Sequence, residues 1–206
     1  MALWLVRHGE TEWSLSGQHT SRTDLPLTAE GELQAVAIGK LLAARRFDAV
    51  LSSPLQRAVN TAKLAGFGDR VQMTDALREV DYGEYEGLTT NEIWKRAPGW
   101  ELFRDGSPDG ESPEEVERRV DDLLAHVEAL GSSVLLFGHG HCMRAIGARF
   151  LRMPVTFGTH LRFDPSSVSI LSHERDGPAI MTWNRRVHPR AVIVADVVVR
   201  ANEATG

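Results

Sequence analysis

The 206-residue chain has a single cysteine, Cys142, and no long apolar run. One thiol cannot form an internal disulfide, so the sequence favours a reducing compartment, and we expect a cytoplasmic protein. The apolar start at 2–6 is interrupted by Arg7 and is much shorter than the apolar core of a signal peptide. The stretches 191–195 and 197–199 are also too short to cross a bilayer.

Basic residues are fewer than acidic ones, with 23 Lys and Arg against 28 Asp and Glu and a formal net charge of −5. This balance argues against nucleic acid or an anionic membrane as a partner, because each requires a broad basic face. A local cationic pocket is still compatible with it. The length, together with 42% hydrophobic residues, predicts a single globular domain over 1–206 with its own core.

Short apolar runs alternate with helical patterns along the chain. Continuous apolar runs, typical of strands buried on both faces, occur at 3–6, 49–51 and 134–137. Capping residues predict the helix starts, at Thr28, at Ser53 with Gln56, at Thr89 and at Ser112. The helix after Thr28 is predicted to end near Arg45, and the one after Ser112 at Leu130.

Two alternating stretches, 168–172 and 179–183, predict a hairpin or edge strands. The region 168–199 could supply an edge strand for a homodimer, and 184–206 is a C-terminal extension without an assigned structure. Strands that alternate with long helices predict an α/β fold with a mostly parallel sheet covered on both faces.

Three predicted strands end in residues that carry chemistry. In an open parallel sheet, ligands bind outside the carboxyl ends of the strands. The residues brought to that edge are Arg7, His8, Arg57, His139 and His141. Planar guanidinium groups suit phosphate oxygens, and an imidazole can attack phosphorus while the other cations stabilise charge on the equatorial oxygens. The leaving oxygen also needs a proton donor, for which the acidic run 79–86 is the source.

Four separated motifs carry a family resemblance: 7–11, 53–62, 77–87 and 138–140. They resemble, in order, the motifs of the histidine phosphatase (phosphoglycerate mutase-like) superfamily, and the resemblance spans 3–144. It implies a three-layer α/β/α domain that acts on a small phosphate ester and needs no metal ion or organic cofactor.

The resemblance also implies a role for individual residues. His8 matches the phosphorylated nucleophile, Arg7 and Arg57 the phosphate-binding arginines, and His139 the second histidine. Glu79 matches the acid that protonates the leaving group. The substrate-binding residues implied are Ser14, Gln18, Thr20, Ser21, Tyr82, Gly140 and His141.

Within the superfamily, the motifs resemble most the branch of sedoheptulose-1,7-bisphosphatase and acid-phosphatase-like proteins. Ser14 stands where many relatives carry Asn, and His141 where most carry Gly. The segment 88–111 is shorter than the insertion of cofactor-dependent mutases, which favours hydrolysis of sugar phosphates or bisphosphates over isomerisation.

Alternatives remain open at this stage. The chain could be a phosphoglycerate mutase, a phosphate-binding regulatory module with little turnover, or a metal hydrolase with His8, His139 and His141 as ligands. His141 either lines the pocket or caps the following helix. The turn-rich segment 100–112 is expected to close over the substrate.

Overall fold

The computed structural model describes residues 1–189. The strands are β1 (Ala2–Arg7), β2 (Ala49–Ser52), β3 (Val71–Met73), β4 (Ser133–Gly138), β5 (Ser167–Glu174) and β6 (Gly177–Arg186). The helices are α1 (Glu12–Ser16), α2 (Ala29–Leu42), α3 (Gln56–Ala62), α4 (Thr90–Arg96), α5 (Leu102–Asp105), α6 (Pro113–Leu130) and α7 (Gly140–Phe150). A π-helical turn, Lys63–Phe67, extends α3, and shorter 3₁₀ turns lie at Asp75–Leu77, Gly83–Tyr85 and Val155–His160.

The described strands form one mixed sheet in the order β3-β2-β4-β1-β5-β6. The first four of these are mutually parallel, whereas β5 runs antiparallel to β1 and β6 antiparallel to β5. The mostly parallel sheet predicted from the sequence is therefore confirmed. The stretches 168–172 and 179–183 do form a hairpin. Of its two strands, β6 lies at an edge of the sheet, whereas β5 is an inner strand because β1 pairs with its other side.

The two faces of the sheet are both covered, which explains the continuous apolar runs. Successive side chains of a strand point to opposite faces. Leu136 packs in the core cluster that also holds α6 and α7 residues, and Leu135 packs in the cluster with Ile38 and Leu42 of α2. All four of these side chains are fully buried.

Capping explains most of the helix starts. Thr28, Thr89 and Ser112 each accept a hydrogen bond from a backbone N–H of their helix, as predicted. The helix after Ser112 ends at Leu130, also as predicted. The helix after Thr28 ends at Leu42 rather than near Arg45, whose guanidinium instead lies over the Trp4 ring.

The capping box predicted at Ser53 is wrong. Helix α3 begins at Gln56 with Leu55 as its N-cap, and the Asp24 carboxylate accepts a hydrogen bond from the N–H of Gln56 at 2.8 Å. The Ser53 hydroxyl lies 2.8 Å from Nε2 of His139 and accepts from the N–H of Leu55, and the Gln56 side chain donates to the carbonyl oxygen of Asp24. Asp24, rather than the pair Ser53 and Gln56, therefore caps the start of α3.

The remaining predictions concern the chain ends. Residues 184–186 complete β6, so the extension expected from residue 184 does not start there. The apolar stretches 191–195 and 197–199 lie outside the described residues. Among residues 1–189, no helix has the length and apolar character needed to cross a membrane.

Candidate active site

A cavity of about 190 Å³ opens beyond the carboxyl ends of β1 and β4. Its wall is formed by Arg7, His8, Thr11, Trp13, Ser14, Gly17, Gln18, His19, Thr20, Glu79, Tyr82, Gly140, His141, Arg144 and Phe163. This position is the edge at which parallel α/β sheets bind their ligands.

His8 follows the last residue of β1 and is only 4% exposed. Its Nδ1 lies 2.7 Å from the carbonyl oxygen of Gly9. A carbonyl only accepts hydrogen bonds, so Nδ1 carries the proton of the neutral ring and Nε2 keeps a lone pair. Burial, followed by the positive charges of Arg57 and Arg7, lowers the pKa of His8 well below its ordinary value of 6.5. The ring is therefore a neutral imidazole at the cavity wall.

The glycines at 9 and 140 allow close approaches beside His8 and His139. A Cβ on Gly9 would collide with the carbonyl oxygen of Gly31, which lies in the first turn of α2, so this position needs a residue without a side chain. A Cβ on Gly140 would lie 3.1 Å from the guanidinium carbon of Arg7, so a side chain there would displace the guanidinium.

Arg7 keeps one donor free for a ligand. Its Nη1 donates to the carbonyl oxygen of Phe163 at 2.6 Å. Its buried Nε has no hydrogen-bond partner among the described residues. Buried donors in native proteins are nearly always bonded, so this N–H indicates a binding position for an anion beside His8.

His139 and Arg57 lie behind His8, and neither lines the cavity. The imidazole centroids of His8 and His139 are 5.2 Å apart, in an edge-to-face arrangement. Nε of Arg57 donates to Nδ1 of His139 at 3.2 Å, so the proton of the neutral His139 ring is on Nε2, 2.8 Å from the Ser53 hydroxyl. Arg57 thus fixes the orientation of His139 and places its own charge close to His8.

The loop at 20–23 holds Arg57 in place. The guanidinium donates to the carbonyl oxygens of Thr20 and Thr23, at 3.1 and 3.0 Å. On the opposite side of the loop, the Glu86 carboxylate accepts hydrogen bonds from the N–H of Thr23 and from the N–H and hydroxyl of Ser21. Although burial alone would raise it, these hydrogen bonds lower the pKa of Glu86 overall. Glu86 therefore positions Arg57 through the loop.

We expect Glu86→Gln to lower kcat/KM by about 10- to 100-fold, because small displacements of catalytic groups have effects of this size. The amide replaces one carboxylate oxygen by a donor that faces the N–H groups of the loop. Glu84→Gln is the matched control, because Glu84 is exposed in the same segment. Equal kinetics of the two variants in a phosphate-release assay would show that Glu86 does not position the site.

Glu79 lies at the cavity wall and is held by the first turn of α7. Its carboxylate accepts hydrogen bonds from the N–H groups of His141 and Cys142, at 3.0 and 2.8 Å, and from the N–H of Val80 at 3.0 Å. It is 8% exposed. These bonds fix the carboxyl group in one orientation, within the same cavity as His8.

Aromatic and imidazole rings form the other end of the cavity. The Tyr82 hydroxyl lies 2.6 Å from Nδ1 of His141, and the His19 ring lies 4.7 Å from the Tyr82 ring. Burial lowers the pKa of His141 well below its ordinary value and that of His19 to about 4. Of the two roles left open for His141, the structure shows that its ring lines the cavity.

Nine of the predicted site residues line this cavity: Arg7, His8, Glu79, Ser14, Gln18, Thr20, Tyr82, Gly140 and His141. Arg57 and His139 lie behind the wall, as does Ser21, whose hydroxyl bonds to Glu86. The Ser14 hydroxyl closes the capping box of α1 with Thr11. Six residues of the cavity wall lie outside the predicted set: Thr11, Trp13, Gly17, His19, Arg144 and Phe163. Arg144 could have been found, because it lies one helical turn after His141.

The segment 100–112 is packed rather than open at its aromatic residues. Trp100 donates from Nε1 to the carbonyl oxygen of Gly106 at 2.6 Å and is buried. The Phe103 ring, also buried, lies against the His141 ring. Closure of this segment over a substrate stays a prediction.

The alternative metal site has no ligand set in the described structure. Both nitrogens of His139 have protein partners, and Nδ1 of His141 faces the Tyr82 hydroxyl. Within residues 1–189, no cluster of three or more His, Cys, Asp or Glu could hold a metal ion.

The buried histidines predict how stability depends on pH. Burial lowers the pKa of His8, His139 and His141 in the folded state. As the pH falls through 6.5, each of these rings therefore takes up a proton in the unfolded chain while it is still neutral in the folded protein. The free energy of unfolding should therefore decrease by about 1.4 kcal/mol per pH unit for each of them below pH 6.5. Urea unfolding at pH 7, 6 and 5 tests this above the range where carboxylates titrate.

His8→Asn should have a shallower pH dependence of the unfolding free energy than the unaltered protein. A free energy of unfolding that is constant between pH 7 and 5 would contradict the neutral state of these rings.

Comparison with known proteins agrees with this geometry. The family model of the histidine phosphatase superfamily (branch 1) matches residues 3–186. The chain is 38% identical over 194 residues to an acid phosphatase of Mycobacterium tuberculosis, covering 92% of this chain and 95% of that one. It is 35% identical over 176 residues to sedoheptulose 1,7-bisphosphatase of Saccharomyces cerevisiae, covering 70% of this chain and 65% of that one.

A solved structure gives the same result. The structure of the open reading frame Rv3214 of Mycobacterium tuberculosis superimposes with a TM-score of 0.86 at 38% identity, covering 91% of this chain and 98% of that one. The family predicted from the four motifs is confirmed: the chain belongs to the histidine phosphatase superfamily.

Proposed function

We propose that the protein is a phosphomonoesterase that hydrolyses small phosphorylated metabolites through a phosphohistidine on His8. The observation that carries the proposal is the pairing of a neutral His8, whose Nε2 has a lone pair, with the unpaired Nε of Arg7 at the same cavity. A nucleophile beside a free cationic donor suits the attack on a phosphoryl group.

In the first step, Nε2 of His8 attacks phosphorus and the bond between phosphorus and the ester oxygen breaks. Glu79 gives its proton to the leaving oxygen, which departs as an alcohol. Arg7 binds the oxygens of the transferring group. Arg57, whose Nε lies 3.2 Å from Nδ1 of His139, is close to His8 but outside the cavity lining. Its positive charge stabilises the negative charge of the transferring phosphoryl group.

In the second step, water attacks the phosphorus of phospho-His8. Glu79, now a carboxylate, takes a proton from the water, and the bond between nitrogen and phosphorus breaks. Inorganic phosphate leaves, and His8 returns to its neutral form. The step needs no metal ion or organic cofactor.

Sugar phosphates or bisphosphates are the favoured substrates. The cavity of about 190 Å³ is smaller than the pockets of about 300–1,000 Å³ that hold drug-sized ligands. The acid phosphatase and the sedoheptulose 1,7-bisphosphatase described above are named for phosphatase activity, one of them on a sugar bisphosphate. The same proposal includes three further points. The chain forms a single catalytic domain, it acts in the cytoplasm, and it binds neither nucleic acid nor a membrane. A homodimer stays a prediction.

The test is phosphate release from a substrate panel, with His8→Ala as the blank. We expect release from fructose 1,6-bisphosphate, fructose 1-phosphate and 4-nitrophenyl phosphate that persists with a chelator and is inhibited by vanadate. Release no greater than that of the blank would overturn the proposal. Conversion of 3-phosphoglycerate to 2-phosphoglycerate that depends on added 2,3-bisphosphoglycerate would favour the mutase alternative, which the names of these two relatives support less.

A further inference from the structure

The mechanism above leaves one cation of the cavity wall unused. Arg144 lines the cavity from α7, four residues after Gly140. Its Nε donates to the carbonyl oxygen of Gly158 at 2.8 Å and its Nη2 to that of Thr159 at 3.2 Å. The guanidinium carbon lies 5.2 Å from the centroid of the Phe103 ring. Backbone and aromatic contacts therefore fix the guanidinium, while Nη1 has no hydrogen bond to the described residues.

Arg144 forms no ion pair with a carboxylate in the described part of the chain, and the carboxylate whose charge acts on it is that of Glu79. The contrast with two other arginines is clear, because Arg149 on the same helix pairs with Asp121 and Arg119 pairs with Glu111. The one carboxylate of the cavity wall is Glu79, and it accepts its hydrogen bonds from backbone N–H groups. A half-buried cation without a counterion in direct contact is unfavourable, so the arrangement suits an anion supplied by a ligand.

The position of Arg144 separates it from the reaction centre. Gly140 packs beneath Arg7, and an α-helix rises about 1.5 Å per residue, so the Arg144 backbone lies about 6 Å further along α7. The Phe103 ring contacts the guanidinium from outside the lining, and the charge of Arg144 acts on His19 and His141, two imidazoles of the cavity wall that burial keeps neutral. Arg144 is thus the one described cation at that end of the cavity wall.

We propose that Arg144 binds a second anionic group of the substrate, a phosphate or a carboxylate, while the reacting phosphate lies at His8 and Arg7. The substrates preferred are then phosphate esters that carry a second negative group, rather than simple monophosphates. This inference rests on the proposed function, because it places the reacting phosphate at His8.

The test compares binding of two pairs of probes by calorimetry in a His8→Ala background, which prevents turnover. Fructose 1,6-bisphosphate and fructose 1-phosphate differ by one phosphate, and 3-phosphoglycerate and glycerol 3-phosphate differ by one carboxylate. We expect Arg144→Gln to weaken binding of the doubly anionic member of at least one pair tenfold or more, and of its partner less than twofold. The pair that responds identifies the second group.

Two further variants complete the test. Arg149→Gln removes the same type of residue from the same helix outside the cavity and should change no affinity. Arg144→Lys keeps the charge and should retain part of the preference, which decides the question if thermal unfolding shows that Arg144→Gln does not fold. Equal losses for both members of each pair, or no preference for the doubly anionic members when Arg144 is present, would overturn the inference. A lack of phosphate release by the unaltered protein would instead overturn the proposed function.

Discussion

Replacing His8 with alanine is expected to lower phosphate release by at least about 10⁴-fold, because the reaction loses its nucleophile. His139, whose ring lies edge-to-face against that of His8, cannot take its place as nucleophile. Nδ1 of His8 is bonded to the Gly9 carbonyl, and both nitrogens of His139 have protein partners. The measurement is initial-rate phosphate release at substrate concentrations well above the KM of the unaltered protein.

A labelling experiment separates this role from a structural one. After brief incubation with substrate labelled in its phosphate and acid-free denaturation, the unaltered protein should retain acid-labile label, and His8→Ala should retain none. His126→Ala is the matched control, because His126 is exposed on α6. Equal labelling of the protein with and without His8 would place the phosphoryl group on another residue.

The sequence predicted which residues meet at one edge of the sheet, because local patterns determine where the strands end. Strand β1 ends immediately before His8, and strand β4 ends immediately before His139, so the sheet alone brings both histidines to this edge. Each histidine is followed by a glycine, because the α2 backbone approaches Gly9 closely and the Arg7 side chain approaches Gly140 closely. Motif spacing, which selected Glu79 from its acidic neighbours, agrees with the position of its carboxylate at the cavity wall.

What sequence patterns could not give is the direction of individual side chains. Arg57 and His139 reach the correct edge of the sheet, but their hydrogen bonds turn them behind His8. Ser53 matches a capping box, and yet its hydroxyl bonds to His139 instead, because the two groups meet only in the folded chain. Phe163 joins the site through a loop without any motif. Each of these differences is a tertiary contact.

Glu79→Gln is expected to lower turnover of alkyl phosphates by about 10²- to 10⁴-fold, the range typical of general acid and base catalysis. The two α7 N–H groups bond to different oxygens of Glu79, so the amide oxygen can keep one of these hydrogen bonds. The amide cannot give a proton to the leaving group or take one from water. Both steps of the proposed mechanism are therefore slowed. A comparison of steady-state rates with fructose 1,6-bisphosphate measures the combined effect.

The leaving group separates the two roles of Glu79. Because 4-nitrophenolate leaves as a stable anion without a proton, formation of phospho-His8 from 4-nitrophenyl phosphate should lose little in Glu79→Gln. Hydrolysis of phospho-His8 still needs the Glu79 carboxylate as base, so phospho-His8 should accumulate in the variant. Stopped-flow absorbance should then show a burst of about one equivalent of 4-nitrophenolate, followed by a slow steady state. Equal losses with alkyl and aryl substrates and no burst would assign the proton transfers to another residue.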